Sequence, residues 1–81
     1  MPEVEVVMPK ADPNMTEGRI IEWLKKPGDS VEIGEALANV ETEKLEFPVE
    51  STVAGVLKRT LAQAGDAVEV AKPIALIETS T

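Results

Sequence analysis

The fold is decided by two stretches that align without a gap: EGRIIEWLKKPGDSVEIGEALANVET (residues 17–42) and AGVLKRTLAQAGDAVEVAKPIALIET (residues 54–79). The offset is 37 residues, and nine of the 26 aligned positions are identical, including the Gly28-Asp29 and Gly65-Asp66 pairs. Self-similarity over a period of this length indicates an internal repeat. We therefore predict a single domain over residues 1–81, with two similar halves packed about a pseudo-twofold axis.

Each half has the composition of short β-strands separated by turns. The Gly-Asp pairs are turn signals, and Pro27 reinforces the first of them. The last strand of each half is predicted at 36–42 and 73–79. Outer strands are predicted at 4–8 and 45–49, where Pro9 and Pro48 fit strand ends or edges. No stretch carries a helical apolar period.

This pattern predicts an all-β fold, a flattened β-barrel or sandwich of two four-stranded antiparallel sheets. The first and last strands are expected to lie together, because each occupies the edge position of its half. The alternation around residues 20–24 is imperfect, which leaves open whether a bulge lies there. The predicted core consists of aliphatic side chains from both halves: Val6, Ile20, Leu24, Val31, Leu37, Val40, Val53, Leu57, Leu61, Val68, Ile74 and Ile77.

Composition excludes several classes of function. The chain of 81 residues has 15 acidic and 8 basic residues, a net charge of −7, so a phosphate backbone is a poor partner. It has no Cys and no His, which excludes disulfides, thiolate nucleophiles, imidazole bases and the usual zinc or haem ligands. No apolar run is long enough to span a bilayer, so no membrane partner is expected. We predict no catalytic residue and no metal site.

One position breaks the symmetry of the two halves. After Thr42 the chain continues through Glu43 and Lys44 into the next strand, so these residues must form a tight reversal. Two-residue hairpin loops favour Asn-Gly or Asp-Gly, and Glu-Lys contains neither. Local rules are broken most often where function requires particular side chains. The ordinary interpretation is a solvated turn lysine; the functional one is a lysine presented at the tip of a protruding hairpin.

With these residues in view, the chain resembles the lipoyl domains of the acyltransferase (E2) components of 2-oxo acid dehydrogenase complexes. The resemblance covers nearly the whole chain, and it depends on the order and spacing of several motifs. These are Met8-Pro9-Lys10, Met15-Thr16-Glu17-Gly18, Pro27-Gly28-Asp29-Ser30-Val31, Glu41-Thr42-Glu43-Lys44, Ala54-Gly55-Val56-Leu57 and Gly65-Asp66-Ala67-Val68. The family motif usually reads Glu-Thr-Asp-Lys, so Glu43 departs from it while keeping the carboxylate. The family fold is a barrel-sandwich hybrid.

The resemblance implies that Lys44 carries lipoic acid in amide linkage, with Thr42, Glu43 and Leu45 recognised by a lipoate ligase or lipoyl synthase. In the family a thiamine-diphosphate decarboxylase (E1) acylates the lipoyl group reductively. The E2 core transfers the acyl group to coenzyme A, and a flavin-dependent dehydrogenase (E3) restores the disulfide. The domain itself is implied to be a non-catalytic, monomeric carrier. The family also implies that the loop holding Ala11, Asp12, Pro13 and Asn14 helps E1 to recognise its carrier; a plain connector is the equal alternative.

Two other functions stay open at this point. Biotin carriers resemble this fold, but they place Met on both sides of the lysine, whereas here the neighbours are Glu43 and Leu45. A modifying enzyme can discriminate between a charge and a thioether at these positions. An unmodified barrel-sandwich adaptor is the alternative of a different class. Because no transit peptide precedes Met1, we expect a cytoplasmic location, with the mitochondrial matrix as the alternative.

Overall fold

A computed structural model describes residues 2–79, which form eight β-strands and contain no helix. Met1, Ser80 and Thr81 lie outside the described residues, so the limits of the predicted domain stay a prediction. The strands are β1 (Glu3–Val7), β2 (Glu17–Trp23), β3 (Ser30–Val31), β4 (Ala36–Glu41), β5 (Glu46–Glu50), β6 (Gly55–Thr60), β7 (Ala67–Glu69) and β8 (Pro73–Glu78). The described residues extend over 37 × 21 × 18 Å.

The strands form two four-stranded antiparallel sheets, in the orders β1-β8-β6-β3 and β5-β4-β2-β7. This confirms the predicted all-β fold and the adjacency of the first and last strands. An offset of 37 residues converts β2, β3 and β4 into β6, β7 and β8, so each sheet contains the short strand of the other half. Pro48 lies in β5, which is an edge strand, as its missing N–H requires.

The two Gly-Asp turns have the same geometry. In the first, Asp29 N donates to Lys26 O at 2.9 Å and Gly28 has a φ of 98°. Proline at the second position and a positive φ at the third define a type II turn, which only glycine adopts without strain. The Asp29 carboxylate closes the turn by accepting from Lys26 N at 2.8 Å. The second turn repeats both contacts, from Asp66 N to Gln63 O and from Gln63 N to the Asp66 carboxylate.

Hydrogen bonds between the two halves, which extend the β2–β7 and β6–β3 pairings, follow the same repeat. Ile20 N donates to Asp66 O at 2.9 Å, and its equivalent, Leu57 N, donates to Asp29 O at 2.9 Å. Ile20 O accepts from Gly65 N at 2.7 Å, and Leu57 O accepts from Gly28 N at 2.8 Å. Each turn is therefore fixed to the long strand of the opposite half.

The prediction that Leu24 and Leu61 lie in the core is wrong: their side chains are 46% and 43% exposed. The register of β2 shifts between Ile20 and Glu22, and that of β6 shifts at the equivalent place. Each extra residue is a β-bulge, and it inverts the face of every residue after it. Trp23 therefore packs against the core instead of Leu24, and its indole N–H donates to Ala62 O at 3.0 Å.

The remaining predicted core residues are correctly placed, with Val53 and Val68 half-buried against the cluster. Six further hydrophobic side chains are buried that the sequence interpretation omitted: Met8, Met15, Ala38, Val49, Ala62 and Ala75. Gly18 and Gly55 lie within strands at close approaches. A Cβ at Gly55 would lie 2.3 Å from Glu78 O, and one at Gly18 would lie 2.7 Å from Val40 Cγ1. Burial of this aliphatic cluster is the main stabilising term of the fold.

Candidate functional site

The hairpin between β4 and β5 presents Lys44. Glu41 and Glu46 are the last paired residues of the two strands, and residues 42–45 connect them. Thr42 N donates to Leu45 O at 2.7 Å, which closes the turn at the backbone. Ala71 is the only non-glycine residue with positive φ within residues 2–79, so Glu43 and Lys44 both have negative φ. The turn therefore accommodates Glu-Lys without glycine.

The side chain of Thr42 makes up for the missing turn residues. Its hydroxyl oxygen accepts from Leu45 N at 3.0 Å and from Lys44 N at 3.3 Å, and its O–H points to Leu45 O at 3.4 Å. A hydroxyl has one donor and two acceptor sites, so these contacts use its full capacity. Serine and threonine stabilise turns through such side-chain-to-backbone bonds.

The Lys44 side chain is exposed, and within residues 2–79 no carboxylate or acceptor binds its Nζ. Glu43 and Leu45 are exposed on either side of it, while Thr42 is half-buried below. The predicted attachment residue, Lys44, and the predicted recognition residues Thr42, Glu43 and Leu45 therefore lie on one hairpin. The amine is accessible to an enzyme from outside, and neither ion pair found within residues 2–79 involves it.

An open groove lies beside the hairpin, between it and the loop of residues 8–16. Its lining includes Asp12 and Asn14 from the predicted recognition loop and also Thr42, Glu43 and Lys44. Ala11 and Pro13 do not line this groove; Ala11 lines a second one, between β1 and β5. The structure therefore places half of the predicted loop residues next to the lysine.

The loop is anchored by its methionines. Met8 and Met15 are buried, and their side chains approach Gly18 of β2 closely. Asp12 O accepts from Met15 N at 2.9 Å, and the Asp12 carboxylate accepts from Asn14 N at 2.8 Å. These contacts give the groove wall a defined shape. A side chain larger than hydrogen at Gly18 would displace the methionines.

Sequence reasoning missed four further residues of the groove lining that carry side-chain polarity: Thr16, Glu17, Arg19 and Glu41. The register pairs Arg19 of β2 with Glu41 of β4, which places both next to the hairpin. The sequence alone carried no signal for this pairing, because the repeat relates β2 to β6 and does not set the β2–β4 register. Carboxylates outnumber cations in the groove, with Asp12, Glu17, Glu41 and Glu43 against Arg19 and Lys44.

Other kinds of site are not found in the described part of the chain. Residues 2–79 contain no group of three or more carboxylate, His or Cys side chains arranged to hold a metal ion. None of their elements is a helix long and apolar enough to cross a membrane. The ionisable groups with a perturbed pKa belong to two surface ion pairs, Lys25–Glu35 and Lys58–Glu3, outside the groove lining.

Comparison with known proteins gives consistent results. A family model described as "Biotin-requiring enzyme" matches residues 4–77. The chain is 51% identical, over 77 residues or 95% of its length, to a protein of Staphylococcus saprophyticus. That relative is the dihydrolipoyllysine-residue succinyltransferase component of the 2-oxoglutarate dehydrogenase complex. The chain spans only 18% of the length of that relative.

Two solved structures share the fold. The urea carboxylase of Kluyveromyces lactis matches with a TM-score of 0.80 and 26% identity, over 96% of this chain and 6% of that chain. The lipoyl domain of the 2-oxoglutarate dehydrogenase complex from Azotobacter vinelandii matches with a TM-score of 0.69 and 24% identity, over 93% of this chain and 99% of that chain. At that identity, the second likeness is evidence for the fold alone.

Proposed function

The chain belongs to the biotinyl/lipoyl domain family, and from that premise we propose that it is a lipoyl carrier domain modified at Lys44. Lipoyl domains of E2 components carry covalently attached lipoic acid on a lysine. The observation that supports the same role here is an exposed Lys44, without an ion-pair partner in residues 2–79, at the tip of a structured hairpin. An amide at Nζ would replace an unpaired surface charge and would disturb no contact of the fold.

The role of this chain is presentation. It supplies no acid, base or nucleophile of its own, and a rigid hairpin with a long flexible arm raises the effective concentration of the cargo at successive active sites. Lipoic acid supplies a disulfide that takes up an acyl group with two electrons and is restored once the acyl group and the electrons have left. We propose an E1 decarboxylase as the acyl donor, an E2 core with coenzyme A as the acceptor, and E3 as the oxidant.

The residues beside Lys44 are proposed to select the modifying enzyme, a lipoate ligase or lipoyl synthase. Glu43 and Leu45 are exposed and flank the lysine, so an enzyme that binds the hairpin must contact them. The Met-Lys-Met pattern of biotin carriers is absent, which favours lipoylation over biotinylation. The match to a family model described as "Biotin-requiring enzyme" keeps a biotin carrier as the alternative to be tested.

The loop beside the groove is proposed to contribute to partner recognition, mainly through Asp12 and Asn14. Both line the groove next to Lys44, and E1 must approach this face to reach the arm. The proposal extends to a monomeric carrier located with its complex, in the cytoplasm or alternatively in the mitochondrial matrix.

Intact mass of the chain isolated from cells that make lipoate tests the proposal. We expect an addition equal to lipoic acid less one water, and we expect Lys44→Arg to lose it completely while keeping its folding transition. Lys26→Arg is the matched control, because Lys26 is also exposed and its contacts are made by the backbone. A biotin-sized addition would support the alternative carrier. An unmodified wild-type chain would support the adaptor.

A further inference from the structure

Thr42 is the one side chain in residues 2–79 that hydrogen-bonds to the backbone of residues 43–45. It accepts from both Leu45 N and Lys44 N, so it contacts the attachment residue itself. The Glu43, Lys44 and Leu45 side chains are exposed, so they add no packing to the backbone bond from Thr42 N to Leu45 O that closes the turn. Glycine and asparagine, the residues that stabilise tight hairpins by their own conformational preference, are absent from it.

We propose that Thr42 is a positioning residue for the modification of Lys44. Its hydroxyl holds the Lys44-Leu45 backbone in the hairpin conformation that the modifying enzyme binds, whereas Glu43 and Leu45 serve as the surface that the enzyme contacts. This inference rests on the proposed function, since it concerns the reaction that attaches the lipoyl group.

The repeat provides an internal comparison. Thr79 is the equivalent of Thr42; its backbone N–H donates to Pro2 O at 2.9 Å, and its O–H lies 3.4 Å from the same oxygen. The backbone bond and the hydroxyl-to-carbonyl contact are therefore common to both ends of the repeat. In the turn, the Thr42 hydroxyl also accepts from Lys44 N and Leu45 N.

The expected size of the effect follows from the energetics of hydrogen bonds. Loss of a bond of this kind lowers the ratio of ordered to disordered turns by about 2- to 10-fold, which is the upper limit of the change in the ordered fraction. If the enzyme binds only the ordered turn, its apparent affinity for the carrier is proportional to the fraction of carrier molecules with an ordered turn. The rate of reaction from the bound complex does not change. A positioning role therefore predicts a raised KM for the carrier with an unchanged kcat.

The test is the steady-state kinetics of a purified lipoate ligase on the 81-residue chain, with lipoate and ATP. The lipoate carboxylate attacks the α-phosphate of ATP, which forms an acyl adenylate and releases pyrophosphate. The neutral amine at Nζ then attacks the acyl carbon, AMP leaves, and Nζ loses a proton as the amide forms. We expect Thr42→Val to raise the KM for the carrier by up to about 10-fold. Thr42→Ser is expected to restore it, since the hydroxyl is kept. Thr79→Val is the matched control and is expected to leave the KM at the wild-type value.

Amide hydrogen exchange separates positioning from loss of stability. In Thr42→Val the exchange of Leu45 N–H is expected to accelerate more than that of Val40 N–H, whose residue lies in the core of the same strand. An equal acceleration of both amides, an unchanged KM in Thr42→Val, or a Thr42→Ser variant as impaired as Thr42→Val would overturn the inference. A wild-type chain that the ligase leaves unmodified would instead overturn the proposed function.

Discussion

The two connections that follow the outer strands differ in length, although they share their backbone contacts. Residues 8–16 connect β1 to β2, and residues 51–54 connect β5 to β6. In the first, Met8 N donates to Lys72 O and Met8 O accepts from Ala71 N, both at 2.9 Å. In the second, Ser51 makes the same two bonds to Glu35 and Gly34, at 2.9 and 2.8 Å.

The longer connection, residues 8–16, bonds to Val70, whereas the equivalent residue in the first half of the repeat, Ile33, is left exposed. Thr16 O accepts from Val70 N at 3.0 Å, and the Val70 side chain packs partly buried against the core. Its repeat equivalent, Ile33, has no such cover and is 72% exposed. The longer connection also supplies Asp12 and Asn14 to the groove beside Lys44. The strands and turns common to both halves thus form the scaffold. The candidate site is formed by the longer connection, residues 8–16, which is the added loop, and by the hairpin at residues 42–45.

The largest effect is expected from the two strand glycines that the repeat makes equivalent. A Cβ at Gly55 would lie 2.3 Å from the backbone oxygen of Glu78, which cannot move without breaking the β6–β8 pairing. Gly55→Ala should cost about 3 kcal/mol of unfolding free energy, at the upper end for overpacking. At Gly18 the close atoms belong to side chains, two of them flexible methionines, so Gly18→Ala should cost about 1–2 kcal/mol.

Urea unfolding of both variants measures this difference, with unchanged m-values as the check that the unfolded states are comparable. A larger loss for Gly18→Ala than for Gly55→Ala would mean that the methionine-anchored loop is the more rigid neighbour. That result would contradict the distinction between scaffold and added loop.

The strands and turns of the scaffold were predicted well because the same sequence pattern occurs in both halves of the repeat. Identical Gly-Asp pairs locate both type II turns, and the same offset relates the strands of one sheet to those of the other. The core prediction for Leu24 and Leu61 is wrong for a physical reason: a bulge adds one residue to each strand. The imperfect alternation around residues 20–24 left a bulge open but did not locate it. The close approaches of Met8 to Gly18 and of the Glu78 backbone to Gly55 are tertiary contacts, so the sequence pattern does not reveal them.

The candidate site was predicted only in part, from the one position at which the two halves of the repeat differ, the reversal at Glu43 and Lys44. Lys44 stood out since Glu-Lys is a poor tight-turn sequence, whereas the stabilising bonds from Thr42 depend on a side-chain rotamer that no sequence pattern specifies. The β2–β4 register places Arg19 and Glu41 in the groove lining. Two of the four predicted loop residues, Ala11 and Pro13, do not line that groove. Register and loop path depend on packing, which explains why these residues were found only in the structure.

A second prediction compares the two tight turns at Gly34 and Ala71, which are equivalent in the repeat. Gly34 has a φ of 86° and Ala71 has a φ of 73°, a conformation that is strained for alanine. Nothing lies within 4 Å of a Cβ added at Gly34, so Gly34→Ala should cost about 1 kcal/mol from backbone strain alone. Ala71→Gly should stabilise by about 0.5 kcal/mol, since relief of strain outweighs the added entropy of the unfolded chain. Urea midpoints measure both, and a destabilised Ala71→Gly would contradict the equivalence of the turns.

The smallest effect concerns an ion pair present in only one half. Lys25 Nζ lies 2.7 Å from Glu35 Oε2, and this bond lowers the pKa of Glu35 and raises the pKa of Lys25. The repeat places Ala62 and Lys72 at the equivalent positions, so the second half lacks the pair. The stabilisation should be present between the ordinary pKa values of the two groups, 4.5 and 10.5. It should be lost as the pH falls through the lowered pKa of Glu35, or rises through the raised pKa of Lys25.

Glu35→Gln isolates this pair, because the amide oxygen can still accept the bond that Glu35 Oε1 takes from Glu32 N at 3.0 Å. We expect a small decrease in Tm at pH 7 that disappears in acid below the pKa of Glu35, and that is reduced by salt because both groups are at the surface. Glu50→Gln is the control, since that exposed carboxylate has no ion-pair partner within residues 2–79. If the Tm difference persisted at low pH, the variant would be acting through the turn at Gly34, and the two halves would differ in turn geometry instead of charge.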